Sequence, residues 1–449
     1  MPTLMVSVSG IRGLVGDGLD PNTIVKYTSA YADFCGKGTI VIGSDGRITG
    51  NMVKHTLIGT LIAKGNDVID IGICPTPTVL YNVTKLGAVG GIQISASHNP
   101  NEWNALKLLN SNGEFMTPEQ NKLMLDKIDS ANQEYQKWNG LGAVSKYDDG
   151  LKNHVFDVLK LVDKELIRSK NFKVVLDCVN GAGSYIMPQF LEELGCEVIE
   201  LNCEKTGIFP RLPEPIPENL TETMEAVKQH NADLAIVVDP DVDRLVLVTD
   251  KGEPFIEENT ISLAARHVLA KKKGNVVVNL STTRSVDDIA EVEGCKVLRS
   301  PVGEANVVKL MKEVDAVIGG EGSGGVIYPE LHYGRDALVG TVLTLEHLAE
   351  QNKPLSRIKE EMPQYTIAKR KIELKNIDPD LVIEKLTENY STKKVNTDDG
   401  LRIDFDDHWV HFRKSNTEPI IRCIAEAKTE HEAEKFIDKY FSEVTSLMY

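Results

Sequence analysis

The amino-acid sequence predicts an α/β protein made of three related α/β domains with mixed, largely parallel sheets, followed by a C-terminal α+β domain. Three observations predict this class. Apolar, β-rich segments alternate with helical patterns over the first 370 residues, which is typical of layered α/β proteins. Three of these segments are similar to one another. The residues after 370 have instead the pattern of antiparallel strands followed by a helix.

The three similar segments each run from an apolar strand into a polar turn that precedes a helical pattern. They are residues 39–47, 173–181 and 275–281. Each is followed further along the chain by a second apolar strand that ends in an unusual loop, and these loops are residues 95–100, 239–244 and 319–325. Open α/β sheets usually bind ligands beyond the carboxyl ends of their strands. The three loops are therefore candidate binding elements.

The C-terminal part has a different pattern. Residues 404–413 and 420–425 predict two antiparallel strands around a polar turn, and Thr429 with Glu432 predicts a capping box at the start of a helix. We therefore predict four domains: residues 1–152, 153–255, 256–370 and 371–449.

Composition restricts the partners. The 449 residues carry a formal net charge of −16, which argues against nucleic acid and against an anionic membrane surface. The seven cysteines are scattered and show no C-x-x-C spacing, so we expect reduced thiols. Residues 1–4 do not begin a signal peptide, and no apolar segment is long enough to cross a bilayer. These observations predict a cytoplasmic protein with a small-molecule partner.

The first loop contains Ser97, with His98 beside it and Asn99-Pro100 closing the turn. A serine on a short polar loop is a candidate nucleophile or phosphoryl carrier. A simple turn is the alternative interpretation.

The second loop contains Asp239, Asp241 and Asp243, directly after an apolar strand. Alternate residues of an extended chain point to one side, so we predict three converging carboxylates that share a cation, for which Mg²⁺ is suited. An exposed acidic turn is one alternative. A dehalogenase-type phosphotransferase with Asp239 as its nucleophile is another. An EF-hand is poorly supported because Arg244 occupies the position of its required glycine.

Two further loops carry weaker signals. In the glycine-rich loop 319–325, Glu321 and Ser323 are candidates to bind sugar hydroxyls, although a flexible turn explains the pattern equally well. The polar turn 413–419, with Arg422 after it, offers hydroxyls, backbone amides and guanidinium groups that suit a phosphate dianion. A hairpin with solvated arginines is its alternative.

Together these loops resemble the four signature loops of the α-D-phosphohexomutase family, and the segment Gly-Ile-Arg-Gly at residues 10–13 resembles its N-terminal motif. The resemblance covers nearly the whole chain. The segments most similar to the phosphoglucosamine mutase branch of archaea and some bacteria are residues 301–306, 322–327 and 413–419.

The resemblance implies four domains around a central cleft, with one loop from each domain. It implies that Ser97 is carried as a phosphoserine, and that Mg²⁺ binds to Asp239, Asp241, Asp243 and an oxygen of that phosphoserine. A hexose or glucosamine 1,6-bisphosphate would be the intermediate and activator. The partner is then a sugar phosphate, and the chain is expected to be a monomer or a homodimer.

The resemblance also assigns individual roles. Lys107 matches the family's candidate general acid/base, and Arg12, His98 and Arg244 would orient the phosphoryl group. Glu321 and Ser323 would bind the sugar. The residues expected to hold the non-reacting phosphate are Arg413, Ser415, Asn416, Thr417 and Arg422.

Three positions depart from the family pattern. Gly325 stands where many members carry histidine, and His332 is near it only in sequence. Asn416 replaces a usual glycine. Glu304 replaces a basic residue or histidine common in phosphomannomutases, and a carboxylate there could meet the ammonium group of an amino sugar.

These observations predict a phosphoglucosamine mutase that interconverts glucosamine 6-phosphate and glucosamine 1-phosphate. The first alternative is a phosphomannomutase/phosphoglucomutase of mixed specificity. A phosphatase of the dehalogenase type and a non-catalytic sugar-phosphate-binding protein are more distant alternatives.

Overall fold

The computed structural model describes residues 3–7, 10–129, 134–374, 377–414 and 420–447. Four sheets organise the described chain, and they follow one another along the sequence without interleaving. Three units are α/β and the last is α+β, as the sequence predicts.

The first unit is an eight-stranded sheet with helices around it. The helix α1 shows why an element begins where it does, because Asp20 accepts a hydrogen bond from the N–H of Thr23 and Pro21 occupies the first helical position. The elements up to the second sheet are β1 (Leu4–Ser7), β2 (Gly10–Val15), β3 (Gly18–Leu19), α1 (Pro21–Cys35), β4 (Thr39–Ser44), α2 (Gly50–Lys64), β5 (Asp67–Ile73), α3 (Thr76–Lys85), β6 (Gly90–Ile94), β7 (Trp103–Leu109), α4 (Pro118–Asp129), β8 (Val144–Lys146), α5 (Gly150–Leu159) and α6 (Lys164–Arg168).

The second and third units each contain a four-stranded sheet. The second comprises β9 (Lys173–Asp177), a 3-10 helix (Ala182–Tyr185), α7 (Met187–Glu193), β10 (Glu197–Leu201), a 3-10 helix (Pro217–Asn219), α8 (Thr221–His230), β11 (Leu234–Val238) and β12 (Leu245–Thr249). The third comprises α9 (Glu257–Lys271), β13 (Val276–Asn279), α10 (Ser285–Val292), β14 (Val297–Ser300), α11 (Glu304–Glu313), β15 (Ile318–Glu321), β16 (Gly325–Ile327), α12 (Ala337–Gln351) and α13 (Leu355–Glu361).

One strand order occurs in all three α/β units. It is β5-β4-β6-β7 in the first, β10-β9-β11-β12 in the second and β14-β13-β15-β16 in the third. In each, the first three strands are parallel and the fourth is antiparallel to the third. The connection from the third to the fourth strand is the candidate loop in every unit. The weak sequence similarity therefore corresponds to a common topology, and the three loops occupy equivalent places.

Burial explains why the strands before these loops read as continuous apolar runs. Every residue of β6 and of β11 is buried, as expected for central strands covered on both faces. One apolar core extends through the second and third units, whereas the first and fourth have cores of their own.

The fourth unit is a five-stranded antiparallel sheet with two helices against it. Its elements are β17 (Thr366–Glu373), α14 (Pro379–Asn389), β18 (Lys394–Asn396), β19 (Leu401–Asp404), β20 (Trp409–Lys414), β21 (Ile420–Ala427) and α15 (Glu430–Ser446).

Two sequence predictions about this unit can be compared with it. The capping box is confirmed, since Thr429 and Glu432 bond reciprocally at the start of α15. The predicted strand 404–413 is divided, because a turn closed by the N–H of Phe405 and the carbonyl of His408, at 2.9 Å, separates β19 from β20.

The predicted domain boundaries at residues 152 and 370 fall inside α5 and β17, and the boundary at 255 lies between β12 and α9. All three stay predictions. In the part of the chain that is described, the helices are all too short or too polar to cross a membrane.

Candidate active site

Ser97 is held in a constrained position on the loop between β6 and β7. Its φ is +50°, a left-handed conformation that non-glycine residues adopt at a cost and that is common at functional sites. The backbone N–H donates to Ser95 Oγ at 2.9 Å, and the Ser97 hydroxyl donates to Asp239 Oδ2 at 2.9 Å. The side chain is thereby directed from the first unit toward the acidic loop of the second.

Arg47 fixes this loop, and the sequence patterns did not single it out. Its guanidinium donates to the carbonyl oxygens of Ser97, Asn99 (2.9 Å) and Pro100 (2.8 Å), and Asp45 accepts from its Nε at 2.8 Å. Arg47 follows β4 at the carboxyl end of the strand. The rule that ligand sites lie at such ends could have pointed to it.

The three predicted aspartates are brought together and buried. Asp239, Asp241 and Asp243 are at most 1% exposed, and a ligand oxygen from each lies within 4.8 Å of the others. The predicted reason for their convergence is wrong, however. The chain is not extended here but turns, with the N–H of Val242 bonded to the carbonyl of Asp239 at 3.1 Å and Val242 at φ +59°.

The carboxylates offer free oxygens for a cation. Asp241 Oδ1 and Asp243 Oδ1 are buried without a hydrogen-bond partner among the described residues, a costly arrangement for an anion unless a cation binds. Burial, with the neighbouring charges of Asp243 and Asp241, raises the pKa of Asp239 well above its usual value. This oxygen-only donor set fits a hard divalent ion such as Mg²⁺.

Thr76 and Lys107 of the first unit secure the acidic turn. The N–H of Thr76 donates to the Asp241 carbonyl at 2.8 Å and its hydroxyl to Asp241 Oδ2. Lys107 on β7 places Nζ 2.5 Å from Asp241 Oδ2 and 3.2 Å from Asp243 Oδ2. Burial lowers the pKa of Lys107, but the two carboxylates raise it by more, so its pKa lies above the ordinary value. The predicted acid/base therefore lies in the site as an ammonium. Thr76 is a residue that sequence reasoning missed.

The three predicted orienting residues also lie around this centre. Arg12 donates from Nη1 to Asn99 Oδ1 at 2.7 Å, and Arg244 Nε lies 3.9 Å from Asp243 Oδ1. Burial, then the charges of Arg244 and Arg12, lower the pKa of His98 to about 2. A neutral imidazole of such low basicity is a weak proton acceptor, which agrees with an orienting role.

Arg335 lies beside the predicted sugar-binding residue Glu321 and was also missed by sequence reasoning. Its side chain pairs with Glu304 (2.8 Å), Glu321 (3.1 Å) and Asp243 (2.9 Å). Glu304, expected to face an amino sugar, thus already bonds a guanidinium, and its other oxygen accepts from the N–H of Arg335 at 3.0 Å. Ser323 is half-buried on the turn between β15 and β16. No spacing rule marks an arginine ten residues beyond the glycine-rich loop.

The predicted phosphate loop is described only at its ends. Arg413 and Arg422 are directly opposite each other on β20 and β21, so their side chains lie on one face of the sheet. Arg413 forms an ion pair with Asp399, with 2.8 Å between Nε and Oδ2. Ser415, Asn416 and Thr417 lie outside the described residues.

His332 belongs to a second cluster. His332 Nε2 and His154 Nε2 lie 3.0 Å and 2.9 Å from the same oxygen of Asp336, whose other oxygen caps α12. The three side chains are close enough to bind a metal. These hydrogen bonds already account for the cluster, and we interpret it as structural.

Family models and relatives match the chain along its length. Models of the four phosphoglucomutase/phosphomannomutase domains match residues 4–135 (α/β/α domain I), 149–252 (domain II), 257–365 (domain III) and 371–442 (C-terminal domain). A phosphoglucomutase/phosphomannomutase of Thermococcus kodakarensis is 37% identical over 438 residues, covering 96% of both chains. A "probable phosphoglucosamine mutase" of Methanopyrus kandleri is 36% identical over 438 residues, with 96% of both covered.

A solved structure shares the whole architecture. A phosphoglucomutase/phosphomannomutase family protein of Burkholderia thailandensis has a TM-score of 0.86 at 26% identity, covering 99% of this chain and 98% of its own.

Proposed function

The chain belongs to the phosphoglucomutase/phosphomannomutase family, the α-D-phosphohexomutases, and on that premise we propose that it interconverts glucosamine 6-phosphate and glucosamine 1-phosphate. Membership makes it an intramolecular phosphotransferase of the isomerase class. The observation that carries the proposal is the contact of 2.9 Å between the Ser97 hydroxyl and Asp239, which supports a role for Ser97 as a phosphoryl carrier beside a cation site. Relatives named as phosphoglucosamine mutases support the substrate.

Ser97 is the carrier in this proposal. Its phosphoryl group passes to the free hydroxyl of the bound sugar monophosphate, so the P–O bond to Ser97 breaks as a P–O bond to the sugar forms. The hydroxyl proton passes in net terms from the sugar to the Ser97 oxygen, with Lys107 as the acid/base between them. The 1,6-bisphosphate then turns over, and its other phosphoryl group returns to Ser97.

The remaining residues bind and orient. Asp239, Asp241 and Asp243 would hold Mg²⁺, which would supply positive charge to offset the negative charge of phosphoryl transfer. Arg12, His98 and Arg244 orient the transferred group, and Glu321 and Ser323 bind the sugar. The non-reacting phosphate is held in both orientations by the predicted set Arg413, Ser415, Asn416, Thr417 and Arg422.

Mixed phosphomannomutase/phosphoglucomutase specificity is the second candidate. A relative at 37% identity carries that double name. It supports mixed specificity as strongly as the relatives named phosphoglucosamine mutases support the glucosamine substrate. Family membership leaves the dehalogenase-type phosphatase without support.

A substrate comparison decides between the two candidates. With Mg²⁺ and glucose 1,6-bisphosphate present, we expect kcat/KM for glucosamine 6-phosphate to exceed the values for glucose 6-phosphate and mannose 6-phosphate by about tenfold or more, the scale of one well-placed polar contact. Product formation would be followed by phosphorus NMR for all three substrates. A value for either neutral sugar that equals or exceeds that for glucosamine 6-phosphate contradicts the proposal.

Glu304→Gln is expected to reduce kcat/KM for glucosamine 6-phosphate more than for glucose 6-phosphate, because the amide cannot pair with the substrate ammonium. Burial raises the pKa of Glu304 to about 6. Since the carboxyl group becomes neutral below that pH, the same preference should weaken in the unmodified enzyme as the pH falls through about 6, and should not change with pH in the variant.

Glu321→Gln is the matched control for this variant, because Glu321 also pairs with Arg335 and is similarly buried. We expect it to reduce activity on both sugars equally. Equal losses from Glu304→Gln as well would show that Glu304 has no part in substrate choice.

A further inference from the structure

We propose that Arg335 is a positioning residue that fixes Asp243 for cation binding and joins the metal-binding turn to the sugar-binding carboxylates. The inference rests on the cation site included in the proposed function. It assigns a task to a residue that lies after the glycine-rich loop and outside every motif of the sequence.

Each of the three guanidinium nitrogens of Arg335 pairs with a different carboxylate. Nη2 lies 2.9 Å from Asp243 Oδ2, Nε lies 2.8 Å from Glu304 Oε2, and Nη1 lies 3.1 Å from Glu321 Oε2. The four side chains are all at most 11% exposed, so these pairs are weakly screened by solvent. A planar fork can serve three carboxylates at once, whereas a lysine ammonium is a single point charge.

Arg335 engages only one of the two carboxylate oxygens of Asp243. Its Oδ2 accepts from Arg335 and from Lys107, at 2.9 Å and 3.2 Å. Its Oδ1 is buried and has no hydrogen-bond partner in the described structure. One oxygen thus accepts hydrogen bonds from two cationic side chains, while the other, which lies 3.9 Å from Arg244 Nε but accepts no hydrogen bond, is left available to an ion. Outer partners that orient a ligating carboxylate in this way contribute strongly to metal affinity.

The absence of a side chain at Gly325 is independent evidence that the position of the Arg335 side chain is constrained. A Cβ atom at residue 325 would lie 2.2 Å from Arg335 Cδ and 2.9 Å from Cγ, far inside contact distance. Gly325 does not have a positive φ, so its backbone conformation does not demand glycine. The arginine side chain fills the space beside Gly325, and an added methyl group would displace it without removing any charge.

The test is the affinity of the purified full-length protein for Mn²⁺, measured by electron paramagnetic resonance of free Mn²⁺ without any sugar phosphate. We expect Arg335→Lys and Gly325→Ala each to weaken Mn²⁺ binding by about tenfold or more. Adding Gly325→Ala to Arg335→Ala should reduce Mn²⁺ affinity little beyond the effect of Arg335→Ala alone. The arginine side chain that the added methyl group would displace is already absent from the double variant.

Arg284→Ala is the matched control. This arginine is 16% exposed, donates to the carbonyls of Phe405 and His408 and lies 3.8 Å from Asp404, all in the fourth unit. Its loss should leave Mn²⁺ affinity unchanged. Circular dichroism identifies any variant that does not fold, and Gly325→Ala tests the inference even if both arginine variants fail.

Two outcomes overturn the inference in different ways. Unchanged Mn²⁺ affinity in folded Arg335→Lys and Gly325→Ala refutes the positioning role alone. An unmodified protein that binds no Mn²⁺ refutes the cation site itself, and the role of Arg335 with it.

Discussion

Replacing Ser97 by alanine is expected to abolish mutase turnover, with kcat falling by at least about 10³-fold, because the phosphoryl group then has no carrier. The substitution removes one hydroxyl whose partner is Asp239 Oδ2 at 2.9 Å. Backbone contacts to Arg47 hold the loop, so its position should not change. Turnover would be measured with glucosamine 6-phosphate and glucose 1,6-bisphosphate.

Mass spectrometry identifies the carrier directly. Protein treated with glucose 1,6-bisphosphate should gain about 80 Da on the peptide containing Ser97, as an acid-stable phosphoserine. Ser184→Ala is a matched control, since Ser184 is another serine that is 3% exposed, and this variant should retain both the modification and the activity. A hydroxylamine-labile phosphate on Asp239 would point instead to an aspartyl-phosphate enzyme.

The second large effect is expected from Lys107→Ala, which should lower kcat by about 10² to 10⁴-fold, the contribution of a positioned general acid/base. The Lys107 ammonium is buried and bonds the carboxylates of Asp241 and Asp243. KM should change far less than kcat if the role is proton transfer. Added ethylamine should restore part of the rate, because it can occupy the vacated space.

Lys64→Ala is the control for the general effect of removing a buried lysine that forms an ion pair. Lys64 Nζ lies 2.7 Å from Asp33 and the side chain is 5% exposed, compared with 4% for Lys107. We expect this variant to lose stability and to keep its kcat. If ethylamine does not restore kcat in Lys107→Ala, and Lys64→Ala loses a similar fraction of its kcat, then Lys107 has only a structural role.

Much of the architecture could be predicted because it depends on local patterns. Strands buried on both faces, such as β6 and β11, read as continuous apolar runs, and polar loops mark their ends. The repeated order of strand, turn and helix indicated three related units, and the shared topology of the three sheets agrees with that prediction. The capping box of Thr429 and Glu432 is set by residues three positions apart, which is why it could be read directly.

The remaining features depend on contacts between distant parts of the chain. The aspartate turn converges through the left-handed Val242, and no rule of alternation predicts such a residue. Arg47, Thr76 and Arg335 belong to no motif, and their roles exist only because the fold brings carbonyls and carboxylates from distant segments of the chain to them. Glu304 was predicted to face the substrate, and only the fold shows that Arg335 engages it.

The equivalent placement of the loops has a consequence for how the protein folds. Ser97 and Asp239 are separated by 142 positions, Lys107 and Asp241 by 134, and Arg335 and Asp243 by 92. Each sheet can form from nearer segments, whereas these contacts require different units to be packed against one another. Closing such long loops costs chain entropy, and the contacts that offset this cost form only late in folding. Catalytic competence should therefore be the last property to appear during refolding, after secondary structure and after the separate cores.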